Sequence, residues 1–220
     1  MPSPETIDLG AAIAHVEGPM AHVELNRGEK RNAINAAMAE AFVTISTMLA
    51  ERGVTAAVLT GRGSTFCAGA DLKEQREPGQ PPPFEAMLRA LRTGEVLWVA
   101  AIEGGAVGAG VALALSCPVV VMAADAFLWL PELSKIGRMP MGVIRWASPI
   151  IGTRAAVDLA VTERRLGAHE ALSRGWITEV ATDEALPAAL AHARRVGAAD
   201  GDSVRAAAAR WSAAAPAPSG

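Results

Sequence analysis

Tyrosine is absent from the sequence, and four phenylalanines and five tryptophans stand against a hydrophobic content of 51%. The core must therefore be built from Ala, Val, Leu and Ile, with backbones packed close together. No mechanism here can use a tyrosine acid or a tyrosine oxyanion donor. Cysteine occurs twice, at Cys67 and Cys117, far apart and without metal-ligand spacing. That usage predicts two buried thiols in a reducing compartment, and a cytoplasmic protein with no bound metal. Basic charge is not in excess: 20 Lys and Arg against 23 Asp and Glu leave a net charge of −3, which argues against a nucleic-acid partner. The start, MPSPETIDLG, lacks a basic residue run followed by an apolar stretch, so no signal peptide is expected. Gly104 to Ala124 carries no charge and is long enough to span a bilayer. Gly104, Gly105, Gly108, Gly110 and Pro118 interrupt it, so two buried elements joined by a tight turn explain it better and no membrane partner is expected. A chain of 220 residues favours one domain that needs no disulfide or metal staple.

Along the chain, apolar runs alternate with helical spacing. Ile13 and Val16, the turn Glu17-Gly18-Pro19, and the alternation of Ala21, Val23 and Leu25 predict a hairpin. Met38, Phe42, Ile45 and Leu49 predict a helix with Asn35 or Asn32 as its cap and Gly53 past its end. Ala56–Thr60, Val96–Ile102 and Val119–Met122 read as buried strands, and Phe84–Thr93 and Ala109–Cys117 as helices. The proline-rich run from Glu77 to Pro83 is a surface excursion. The last third reads as helices over Arg154–Val161, Ala168–Arg174, Asp183–Val196 and Asp202–Ala214. Strands that are apolar throughout, alternating with helices, predict an α/β fold with a sheet covered on both faces.

Two loops carry the chemistry. Phe66-Cys67-Ala68-Gly69-Ala70-Asp71-Leu72 follows a strand and a glycine turn, and its small residues let a ligand approach the main chain. Gly104-Gly105-Ala106-Val107-Gly108-Ala109-Gly110 also follows a strand and opens a helix, whose N-terminal amides suit an anion or a developing oxyanion. Alone, each loop is more often a packing feature. Nucleotide readings fail on residues: there is no phosphate-loop lysine, and Gly108-x-Gly110 continues to Leu113 rather than to a third glycine.

Taken in order, these segments resemble the crotonase family of enoyl-CoA hydratases and isomerases. Asn26-Arg27-Gly28-Glu29-Lys30-Arg31-Asn32-Ala33 is similar to its N-terminal signature, and Phe66 to Glu74 to its first oxyanion loop. Gly104 to Leu115 resembles the second loop and helix, Ala124 to Glu132 the strand carrying a catalytic carboxylate, and Ile151–Ala156 with Glu170–Ile177 the region after it. The resemblance implies a ββα spiral core over residues 1–150 holding an acyl-CoA site, and a helical C-terminal trimerisation region over 151–214. A disordered tail would follow over 215–220, and the assembly would be a homotrimer or hexamer. Against the family's usual length the chain ends early, which implies a CoA end that is open or closed by a neighbouring subunit.

The resemblance also implies roles. The backbone N–H groups of Ala68 and Ala109 would polarise the thioester carbonyl. Gly69, Ala70, Asp71, Leu72 and Gly108 would line the substrate, and Lys30, Arg31 and Lys73 would face the CoA phosphates or remain an ordinary solvated surface. Trp129 would shorten the acyl tunnel. Hydratases of this family pair two glutamates around one water; here Ala112 holds the first position and Glu132, after Pro131, the second. One carboxylate fits proton transfer between carbons, the isomerase reaction, with coenzyme A entering only as part of the substrate and no other cofactor. Apolar neighbours Trp129, Leu130 and Leu133 would raise the Glu132 pKa towards neutrality, while Arg138 nearby would neutralise it. Asp71 is expected to cap a following helix, and Glu103 to face solvent at a strand end. Hydration, another crotonase reaction such as decarboxylation or C–C cleavage, and a catalytically silent acyl-CoA-binding subunit stay open alongside isomerisation.

Overall fold

The computed structural model describes residues 5–74 and 80–213. Part of the expected proline-rich excursion and the tail over 215–220 therefore lie outside the described residues. Strands β1 (Glu5–Asp8), β2 (Ala12–Glu17) and β3 (Met20–Leu25) form an antiparallel meander. Parallel strands β4 (Ala56–Gly61), β5 (Leu97–Ile102), β7 (Val119–Ala123) and β10 (Glu179–Ala181) extend it into a seven-stranded sheet of order β1-β2-β3-β4-β5-β7-β10. A second sheet joins β6 (Gly105–Val107), β8 (Phe127–Trp129) and β9 (Leu166–Gly167).

Both faces of the parallel strands are covered, which is why they read as unbroken apolar runs. Ala57, Leu59, Trp98, Ala100, Ile102, Val120 and Met122 point to one side, where they join Met38, Phe42, Ile45 and Leu49 of helix α1 (Ala36–Glu51). On the other side Val58, Val99 and Val121 meet Ala185, Ala189 and Ala193 of helix α8 (Ala185–Gly197). A stripe of methyl groups lets α8 lie close on the sheet, so the alanine excess of the sequence is spent on close packing.

The remaining helices are α2 (Pro83–Thr93), α3 (Ala109–Ser116), α4 (Glu132–Ile136), α5 (Met141–Ile151), α6 (Thr153–Thr162), α7 (Ala168–Ser173) and α9 (Gly201–Ser212). Trp211 of α9 closes over α2 and α3, its indole N–H donating to Ser116 O at 2.8 Å and its ring 4.5 Å from the Arg92 guanidinium. Among the described residues no helix is long and apolar enough to cross a membrane, and the uncharged run from Gly104 becomes β6, α3 and β7.

Two expectations change in detail. Asn35 is the cap of α1, accepting the Met38 N–H at 3.0 Å. Asn32 is fully buried instead and ties three segments together, accepting from Arg27 N and donating to Arg62 O and Thr65 O. Glu103 is half-buried rather than solvent-facing, because its Oε1 accepts the Ala185 N–H and so caps α8.

Candidate active site

The two loops meet edge to edge. Cys67 and Ala106 form a parallel bridge: Cys67 N–H donates to Gly105 O at 3.2 Å and Val107 N–H to Cys67 O at 2.9 Å. Glycines make the approach feasible. A β-carbon on Gly110 would lie 2.5 Å from Cys67 O, and one on Gly69 would lie 2.8 Å from Val107 O and 3.3 Å from Ala109 N. Gly69 also has φ +91, a left-handed conformation that side chains rarely adopt. The Cys67 thiol is fully buried, donates to Asn32 O, and is pushed up to about 12 by burial, so it is a structural thiol.

Two amides of this joint, those of Ala70 and Ala109, have no acceptor among the described residues. Ala109 is the first residue of α3, where a helix leaves its N–H groups unpaired. In the first loop Ala68 N–H is already committed to Arg31 O at 2.9 Å. This corrects the expectation for Ala68, since an amide locked to a carbonyl cannot also polarise a thioester. Gly69 N–H points at Cys67 Sγ and Asp71 N–H at Ile34 O, while Ala70 N–H has no acceptor among the described residues. No local sequence signal distinguishes Ala70 from Ala68; the distinction is made by Arg31 and Ile34, more than thirty residues upstream.

Glu132 comes from the far side. Strand β8 pairs with β6, Trp129 O accepts the Gly108 N–H at 2.9 Å, and the chain turns through Pro131 into α4, whose first residue is Glu132. Gly108, at φ +54, makes room for the carboxylate: a β-carbon there would lie 2.7 Å from Glu132 Oε1. The other oxygen, Oε2, is buried and has no hydrogen-bond partner among the described residues. Burial raises the Glu132 pKa to about 7, its own backbone N–H opposes this, and the Glu163 carboxylate raises it further. Arg138 does not neutralise it, for no ion pair joins the two among the described residues.

Beside Ala70 lies a cavity of about 240 Å³ lined by Ile34, Ala70, Asp71, Leu72, Glu74, Pro83 and Arg138. Leu72 is 67% exposed on its rim. Asp71 does not cap a helix. Its carboxylate accepts the Lys73 N–H and pairs with Arg27 at 3.1 Å. Burial pushes its pKa up, but these two contacts outweigh that and hold it below the ordinary value. Lys30, Arg31 and Lys73 are exposed, and none of them lines this cavity. Trp129 is half-buried and turned elsewhere: its indole N–H donates to Glu163 O at 2.7 Å, and the Arg165 guanidinium lies 4.7 Å from its ring and 4.6 Å from that of Phe127. Glu163 is the neighbour of Glu132 that motif reasoning misses.

The chain is similar to known proteins in sequence and in fold. The chain is 37% identical over 161 residues to a peroxisomal bifunctional enzyme of Danio rerio, a match covering 72% of this chain and 22% of that protein. It is 34% identical over 189 residues to a probable enoyl-CoA hydratase of Mycobacterium bovis, covering 79% and 76% of the two chains. A Thermobifida fusca protein solved in complex with acetoacetyl-CoA superimposes with a TM-score of 0.78 at 26% identity, over 91% of this chain and 85% of that one. The profile of the enoyl-CoA hydratase/isomerase family matches residues 15–216. With the paired sheets, the joined loops and the carboxylate beside them, this chain belongs to the enoyl-CoA hydratase/isomerase family, the crotonase fold.

Proposed function

We propose that the protein binds an acyl-CoA thioester and shifts a carbon–carbon double bond by moving one proton with Glu132. The observation that carries this reading is the state of that carboxyl. It sits against Gly108, has one oxygen without a partner, and has its pKa raised to about 7, which lets it take and return a proton near neutral pH. The Ala70 and Ala109 amides supply the complementary part, two fixed donors for the negative charge that develops on the thioester oxygen. In sequence, Glu132 as base removes a proton from the carbon between carbonyl and double bond, the enolate forms under the two amides, and the protonated Glu132 returns the proton to the distal carbon. Nothing is consumed and no external group is needed.

Isomerisation is favoured over hydration by Ala112, which is buried on α3 where a second carboxylate would have to hold water. The Thermobifida relative's acetoacetyl-CoA supports a CoA thioester as the ligand class. The exposed Lys30, Arg31 and Lys73 take the phosphates in this reading. Assembly as a trimer belongs to the same proposal; Val157 and Val161 on α6 and Leu172 on α7 are apolar, exposed and available for it. Ala112 also favours a second reading, an acyl-CoA-binding subunit without turnover. The two separate in one assay series with trans-2-enoyl-CoA and 3-enoyl-CoA. Double-bond migration supports the first; hydration of the 2-enoyl substrate without migration defeats it; binding with neither reaction supports the second.

A further inference from the structure

Glu163 has a left-handed backbone, φ +49, where the chain leaves α6. Among the described residues only Arg31 and Asn32 share that conformation without being glycine. Glycine would adopt it freely, so a glutamate there carries strain, and strain of this kind calls for an account of what it secures. Here both halves of the residue reach the segment that bears Glu132. The Glu163 carbonyl accepts the Trp129 indole N–H at 2.7 Å, three residues before Glu132. Its Oε1 accepts the Ser134 N–H at 2.7 Å, two residues after. Ser134 is the third residue of α4, and Pro131 at the helix start offers no side-chain cap, so the carboxylate of Glu163 does that work from another element.

We propose that Glu163 is a positioning residue for the Glu132 carboxylate, its left-handed turn clamping the Glu132 segment at Trp129 on one side and at Ser134 on the other. This rests on Glu132 being the proton-moving group. The clamp fixes where the carboxylate sits against Gly108, and it places a like charge near it. Other charges on the elements around α4 are otherwise engaged or turned outward. Arg164 pairs with Glu170 at 2.7 Å, and Arg165 lies over Trp129 and Phe127. Arg154 and Asp158 of α6, Lys135 of α4 and Arg138 are exposed.

Three variants separate the parts. Glu163→Gln keeps an acceptor for Ser134 and removes the charge. Glu163→Ala removes both and keeps the strain. Glu163→Gly removes both and relieves the strain. The expected result is a loss of kcat of roughly 10–100-fold in the Ala and Gly variants, with KM nearly unchanged, since small misplacement of a reacting group costs about that much. Glu163→Gly should lose this activity while melting no lower than Glu163→Ala, and Glu163→Gln should recover most of kcat. Independently of turnover, the Glu132 carboxyl, assigned by ¹³C NMR against Glu132→Gln, should titrate lower in all three variants. The Ser134 amide should exchange faster in the Ala and Gly variants only. Wild-type kcat in Glu163→Gly, or an unchanged Glu132 titration and Ser134 exchange, overturns the proposal. If the wild type does not act on enoyl-CoA at all, the functional reading falls, and the titration and exchange still decide the clamp.

Discussion

The two loops that meet at Cys67 and Ala106 present the amides of Ala70 and Ala109, and they leave these two without an acceptor among the described residues by opposite means. In the first loop nearly every N–H is consumed: Phe66 by Glu103 O, Cys67 by Gly105 O, Ala68 by Arg31 O, Gly69 by Cys67 Sγ and Asp71 by Ile34 O. Between the committed amides of Gly69 and Asp71, Ala70 is left without an acceptor among the described residues. In the second loop Ala109 is free because a helix begins there, and no partner has to be arranged. The first donor therefore depends on a network reaching back to Arg31 and Asn32, whereas the second depends on local geometry alone.

That difference is testable at the level of single atoms. Replacing the peptide N–H of Ala70 with an ester oxygen, or Ala109 with proline at a helix position that tolerates it, should each lower kcat by about 10²–10³, a loss measured by steady-state assay. The same ester at Ala68 should cost roughly 1 kcal/mol of stability, the worth of its bond to Arg31, and far less in rate. Equal rate losses at 68 and 70 would dissolve the contrast. Asn32→Ala should act on the first loop only. It removes one acceptor and two donated bonds from a fully buried side chain, so unfolding by urea should show a loss of about 2–3 kcal/mol.

A smaller effect concerns Glu132 itself. Its folded pKa of about 7 lies above its ordinary 4.5, so between these values the unfolded chain releases its proton first. The native state then loses stability as pH rises through that window, and the penalty is complete above pH 7. Glu132→Gln should therefore match the wild type near pH 4.5 and exceed it at pH 8, by about 1–2 kcal/mol once partial exposure is allowed for. A pH-independent difference in thermal melts would remove the burial account of this carboxyl.

Much of this molecule can be read before its structure is known. Strands β4, β5 and β7 are buried on both faces, so their residues are apolar without alternation, and Met38, Phe42, Ile45 and Leu49 mark α1 because one face meets the sheet. The loops are legible because close approach demands small residues at Gly69, Gly108 and Gly110. Helix α5 is harder to see, with Pro149 inside its last turns and Arg138-Met139-Pro140 before it. Short strands β6, β8 and β9 owe their existence to one another rather than to their own patterns. The identity of the free amide is hidden for a similar reason, since a hydrogen-bond partner thirty residues away leaves no local mark. Glu163 is the extreme case. Nothing in Thr162-Glu163-Arg164-Arg165 separates it from a solvated charged stretch, and only the left-handed turn reveals what it holds.

The central claim is that one carboxyl, Glu132, moves the proton beneath the amides of Ala70 and Ala109. It is met most directly by the rate of conversion of 3-enoyl-CoA to trans-2-enoyl-CoA, followed across pH for the wild type and for Glu132→Gln. The account predicts a wild-type rate that climbs with pH through an inflection at about 7, where the Glu132 carboxyl becomes the free base, and a rate at least about 10³-fold lower in the variant. A variant that isomerises as fast as the wild type, or a wild-type inflection near the ordinary carboxylate value, would contradict it.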